Sequence, residues 1–222
     1  MRHVTLAALA LLASSAAQAD GFIDLGVGAA WRDLDHNKPF DLDFDTGKVA
    51  RIELGTLYES GLMLRGTYTY TAYDELTALG SLKIAEDIEQ QQARFGIFRA
   101  TPRGTPLGWR LGIGYDYVDE DPGVGDATWQ RGGYLEAAAA IETRRRITLD
   151  LAVALSKLGG EDDHDAEARE LRAMATFHAD AMDFTLGARY ARIEREDFVD
   201  ERVFELRVGV GGLWAYPEGA SY

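Results

Sequence analysis

Fifteen charged residues sit at alternate positions of strand-like segments, and they set the chemistry open to this sequence. The acids are Asp24, Glu53, Asp116, Glu136, Asp150, Glu170, Asp183 and Glu205; the bases are Arg51, Arg65, Arg94, Arg110, Arg172, Arg189 and Arg207. The two sets nearly balance, and every base is arginine, in a chain with 19 Arg and only four Lys. A planar guanidinium binds carboxylates through paired hydrogen bonds and is weakly hydrated, so it suits ion pairs shielded from water. A face open to solvent would use lysine freely. The chemistry expected of these residues is an internal ionic network, not turnover.

Other chemistries find less support. There is no cysteine, which excludes a disulfide framework, a thiol nucleophile and a Cys-ligated metal. His36 and His164 stand beside acids in polar stretches, and His178 lies near a segment end. Acyl transfer needs a placed nucleophile with a base and an orienting acid, and no Gly-x-Ser-x-Gly occurs. The chain is read as non-enzymatic. Polar stretches between segments carry 23 of the 37 acids against Lys38, Lys83 and Arg195. Ca²⁺ or Mg²⁺ bridging such carboxylates is one reading; a solvated anionic rim that keeps loops extended is the other, and the preferred one. Asp41, Asp43 and Asp45 resemble the start of a Ca²⁺ loop, but the Gly comes one position late at Gly47 and Ile52 stands where a bidentate Glu belongs. Only an irregular Ca²⁺ site is left open there. No cofactor is otherwise expected.

The positioning elements follow from period. After residue 20 apolar residues recur every second position, the strand repeat. Ten segments show it: 23–31, 50–58, 62–70, 93–97, 107–117, 129–141, 147–155, 171–177, 184–190 and 204–214. Most suit a tilted strand crossing a bilayer, about 9–11 residues. Aromatics gather toward their ends (Trp31, Tyr58, Tyr70, Trp109, Tyr117, Trp129, Trp214), as at membrane interfaces. Connections alternate between short, such as Glu59–Ser60, and long and polar, such as Asp33–Gly47, Asp74–Ile88 and Asp119–Ala127. The pattern predicts an all-β, closed, antiparallel, up-and-down transmembrane barrel of ten strands, with eight as the alternative. Lipid would lie outside and the charges within, in a lumen packed or narrowly wet and not a wide pore.

Composition agrees. The chain has 222 residues, a net charge of −14 and a mean hydropathy of −0.20. That charge opposes nucleic-acid binding, and the hydropathy excludes a multi-helix membrane protein. Met1 to Ala19 reads as a secretory signal, with a basic start, an apolar run and Ala17-Gln18-Ala19 before the cleavage point. Residues 20–222 would then be the barrel.

Near the C-terminus, Gly211, Trp214 and Tyr216 resemble the terminal assembly signal of Gram-negative outer-membrane barrels, although Gly209 replaces its polar residue and residues 217–222 follow it. Over its mature length the chain resembles the small monomeric outer-membrane β-barrel proteins. The resemblance implies an outer-membrane location, insertion by the barrel-assembly machinery, outer-membrane lipid and lipopolysaccharide as neighbours, and a monomer. Two tasks are carried forward: a structural or interaction role through acidic outer loops, and a narrow porin-like channel for ions or small solutes.

Overall fold

Ten strands, each antiparallel to the next, close into one ring in the computed structural model. They are β1 (Ala19–Asp35), β2 (Asp45–Tyr58), β3 (Leu62–Ala78), β4 (Leu82–Ala100), β5 (Leu107–Asp121), β6 (Thr128–Thr143), β7 (Ile147–Gly160), β8 (Ala166–His178), β9 (Asp183–Arg195) and β10 (Asp200–Leu213). The structure describes residues 19–35, 45–78, 82–101, 107–121, 128–143, 146–160, 165–179, 182–195 and 200–213. The expected signal segment before residue 19, Asp41, Asp43, Trp214 and Tyr216 lie outside them, as does the side chain of Asp45. Gly211 is in β10, opposite Asp24. No helix among the described residues is long and apolar enough to cross a membrane.

The ring closes where β1 meets β10, with Trp31 opposite Phe204 and Gly28 opposite Arg207. Backbone approach is close at this seam: a Cβ on Gly28 would collide with the Leu206 carbonyl oxygen. At the short β2–β3 turn the Gly61 amide donates to the Tyr58 carbonyl at 2.8 Å. Gly61 has φ +79°, a left-handed conformation that glycine adopts without a Cβ penalty.

All ten expected strands are present, but several run further than their apolar pattern. β3 and β4 are 17 and 19 residues long, and their ladder continues through Glu75–Glu86 and Thr77–Lys83. β1 and β10 pair as far as Asp35–Asp200. Backbone pairing needs no apolar side chain, so the ladder persists beyond the band that the alternation marks. Much of the acid-rich sequence read as outer loop is therefore strand.

The usual inside-out relation of a soluble protein is reversed. Ile113, Leu107 and Val27 face outward at 61–66% exposure, with most of the other large apolar residues of the alternating faces. Thr56, assigned to the same face, is buried. Arg65, Arg94, Asp116, Glu136, Glu170, Arg172 and Glu205 are buried. No soluble fold gains by such an arrangement, whereas hydrocarbon outside and a closed ring of hydrogen-bonded strands satisfy every strand edge and apolar side chain together.

Candidate functional site: an occluded ionic lumen

Alternation sends one side chain in two from each strand into the ring, and β3 to β10 together build one connected ion-pair network. Glu136 of β6 is its first hub, taking Arg65, Arg172 and Arg110, the last at 3.1 Å. Glu170 of β8 is the second: Arg94 lies at 2.8 Å, and Arg172 and Arg189 at 2.9 Å. Arg172 bridges the hubs. Arg94 extends the network to Asp116 at 2.8 Å, which also accepts from Gln92 at 3.0 Å and Ser156 at 3.3 Å. Arg189 extends it to Glu205. Glu136 and Asp116 have 0% exposure.

The remaining expected residues make fewer contacts. Arg51 pairs with Glu53, two residues along β2. Asp150 meets Arg110 at 3.4 Å, and Arg207 meets Glu205 at only 3.7 Å. Asp24 accepts from the Thr185 hydroxyl at 3.0 Å. Asp183 pairs with His178 at 3.0 Å, and the other His178 nitrogen is hydrogen-bonded to Thr148 at 2.8 Å. That hydroxyl–imidazole–carboxylate line has the order of a hydrolytic triad. Thr148, however, sits within ladders to both β6 and β8, so its local backbone amides serve the sheet. They cannot form the donor pair that stabilises an oxyanion.

Two apolar groups share the interior, and the alternation missed both. Met63, Phe98, Ala100 and Tyr134 form a buried cluster, with Phe22 and Leu57 against it. Arg65 stacks over Phe98 at 4.5 Å and Arg94 over Tyr134 at 5.5 Å. Glycines make room for the rings: a Cβ on Gly112 would strike Phe98, and one on Gly114 or Gly96 would strike Tyr134. The inward glycines of neighbouring strands were the signal that rings lie over them. Toward the long-connection end, Ala30, Val49, Tyr73 and Ile88 form the second cluster. Arg32 lies beside it, 2.9 Å from Glu201 and 3.1 Å from Glu120, with Tyr73 5.5 Å away. Glu120 and Glu201, expected in the solvated rim, instead hold a buried guanidinium. Among the described residues no three metal-ligating side chains converge.

The free space among the described residues is uneven. Between Arg51, Thr67, Thr69, Gln92, Arg94, Glu170, Arg172 and Arg189 there is a gap of about 10 Å³, close to the minimum for one water. A cavity of about 230 Å³ runs from the short-turn end, where Asp24, Asp150, His178, Asp183 and Arg207 line it, to Arg51, Arg65, Arg110 and Arg172 of the network.

No protein-family model matches the sequence, and no curated protein matches it. Solved structures do match in fold. The β-domain of the Bordetella autotransporter BrkA is 10% identical, with a TM-score of 0.52 over 89% of this chain and 100% of that one. Neisserial surface protein A is 17% identical over 86% and 95% of the two chains, at a TM-score of 0.41. An outer membrane channel from Pseudomonas putida F1 is 10% identical over 88% and 96%, at 0.48. The ring of ten antiparallel strands, apolar without and charged within, has the fold of the outer-membrane β-barrels of Gram-negative type.

Proposed function

We propose that this outer-membrane β-barrel is a sealed, non-enzymatic one that acts through its surfaces and not by passing solutes. The occlusion of the lumen carries the reading: interlocked guanidiniums, carboxylates and rings leave a gap of about 10 Å³ at the network. That volume is close to the least that holds one water, too little for a hydrated ion. The acidic outer segments and the lipid-facing wall are then the parts available for interaction. The proposal includes delivery by residues 1–19 as a cleaved signal, and assembly machinery that reads Gly211, Trp214 and Tyr216. It also takes in lipid and lipopolysaccharide as neighbours of a monomer. Ca²⁺ or Mg²⁺ at outer carboxylates, including Asp41, Asp43 and Asp45, belongs to the same reading.

The porin-like alternative draws support from the cavity of about 230 Å³ that enters the lumen from the short-turn end. Planar-bilayer recording separates the two. The sealed reading expects no stepwise current from the wild-type chain and small steps once Arg65→Ala and Glu136→Ala together open the plug. Stepwise current from the wild type, altered by Arg110→Ala or Arg207→Ala, would refute the seal and establish transport.

A further inference from the structure

The outward faces of β8, β9 and β10 change character in the same order. On β8, Phe177, Ala175, Ala173 and Leu171 are followed by Arg169 and then Glu167. On β9, Phe184, Leu186, Ala188 and Tyr190 precede Arg192 and Glu194; on β10, Val210, Val208, Leu206 and Phe204 precede Arg202 and Asp200. The strand registers align these changes. Leu171 lies opposite Tyr190, Tyr190 opposite Phe204, and Phe204 opposite Trp31. Two residues further along, Arg169 lies opposite Arg192, and Arg192 opposite Arg202. Three guanidiniums therefore stand side by side immediately above an apolar and aromatic row.

Like charges directly opposed destabilise an antiparallel pair, and this chain has few bases to spend, with 23 against 37 acids. The three side chains are well exposed, at 62%, 43% and 38%. Arg192 and Arg169 have partly exposed acidic contacts, Arg192 with Asp200 at 2.9 Å and Glu194 at 3.4 Å and Arg169 with Glu194 at 3.7 Å, whereas Arg202 lies 3.8 Å from the buried Asp33. The exposed pairs of Arg169 and Arg192 contribute only about 0–1 kcal/mol, so they can yield to a stronger anion. The neighbouring strands continue the sign. Lys157 of β7 faces outward, and Arg131 of β6 stacks over Trp129 at 4.9 Å. Across the barrel the same level carries acids: Glu89 of β4 lies opposite Asp121 of β5, and Asp119 of β5 opposite Gln91 and Trp129. The basic sector is one-sided.

Its height and geometry select the ligand. It begins where the outward apolar run stops, at the long-connection end, which in this topology is the outer leaflet. Lipid phosphates lie at that depth, and an arginine fork binds phosphate oxygens in pairs. We propose that Arg169, Arg192 and Arg202 form a docking row for the phosphate of a phosphorylated lipid headgroup in the outer leaflet, with its acyl chains lying over Leu171, Tyr190 and Phe204. This rests on the barrel's orientation in the outer membrane and not on the sealing of its lumen, which conductance tests separately.

The experiment uses the full barrel folded in detergent and native mass spectrometry. The probes are the phosphorylated lipid portion of lipopolysaccharide and the same lipid stripped of phosphate. The wild type is expected to retain the phosphorylated form about tenfold more strongly. The triple variant R169Q/R192Q/R202Q is expected to hold both forms equally, and Glu89→Gln on the opposite wall to behave as wild type. Folding of each variant is checked by heat-modifiable gel migration; if the triple variant does not fold, R169Q and R192Q singly carry the test, each with a reduced preference. Equal retention of the two lipids by the wild type would overturn the proposal. So would an unchanged preference in the folded Gln variants. Displacement of the lipid by millimolar inorganic phosphate would also overturn it, by showing a site for free anion.

Discussion

Glu136 takes three guanidiniums, Arg65, Arg110 and Arg172, from three different strands, and its carboxylate has no contact with solvent. Neutralising it removes the carboxylate shared by all three: Arg172 keeps Glu170 and Arg110 keeps Asp150, while Arg65 loses its acceptor in Glu136. Glu136→Gln should therefore lower stability by about 3–5 kcal/mol. Arg207 is the counter-case. Its ion pair with Glu205 is long, 3.7 Å, and its Nε has no hydrogen-bond partner. Arg207→Leu should cost under about 1 kcal/mol, because desolvation of a poorly paired charge offsets what its attraction returns. Urea unfolding of barrels in vesicles measures both; equal losses for the two variants would contradict this ranking. At this scale the charges were legible because two-residue alternation alone puts Glu136 and Arg172 on the face opposite Leu135 and Leu171. Phe98 and Tyr134 were not legible in the same way. An apolar inward residue breaks the alternation rule, and only the glycines opposite, Gly112 and Gly114, mark where a ring fits.

Turns and ladders set how those side chains meet. At the β6–β7 connection Arg146 has φ +57°, and its carbonyl accepts from the His178 amide at 2.8 Å. An L-residue in that conformation costs roughly 1–2 kcal/mol, which glycine avoids. Arg146→Gly should raise the unfolding free energy by about 1 kcal/mol if the carbonyl contact is kept. A lower urea midpoint would show that the arginine side chain contributes more than its backbone strain removes. Strand number and order were legible because each membrane crossing repeats the same pattern. Strand ends were not. β3 and β4 keep pairing through Glu75 and Glu86, where side-chain hydropathy no longer reports backbone hydrogen bonding. Arg32, Glu120 and Glu201 fell in that extension, so their buried cluster lay beyond the reach of an apolar-face reading.

For the molecule as a whole, the exposed apolar wall is the property that a membrane must match. Trp109 is half-exposed on the outside of β5, beside Leu107 and Leu111. In vesicles its fluorescence should be strongly quenched by brominated acyl chains and little affected by aqueous acrylamide. A Trp109 signal open to acrylamide and blind to bromine would mean that the wall meets water. The fold class was readable because an outward apolar face and an inward Arg–carboxylate face have few other solutions. The task was less so, since occlusion depends on how far long side chains reach across the ring, and a one-dimensional pattern carries no such distance.

The seam between β1 and β10 has a kinetic meaning. The first strand finds its second neighbour only in the last fourteen residues described, Asp200–Leu213. Until they arrive, a nascent sheet has two raw margins of unsatisfied amides and carbonyls, which hydrocarbon cannot solvate. Closure is thus a single late event, and whatever inserts this chain has to shelter both margins at once until the hoop shuts.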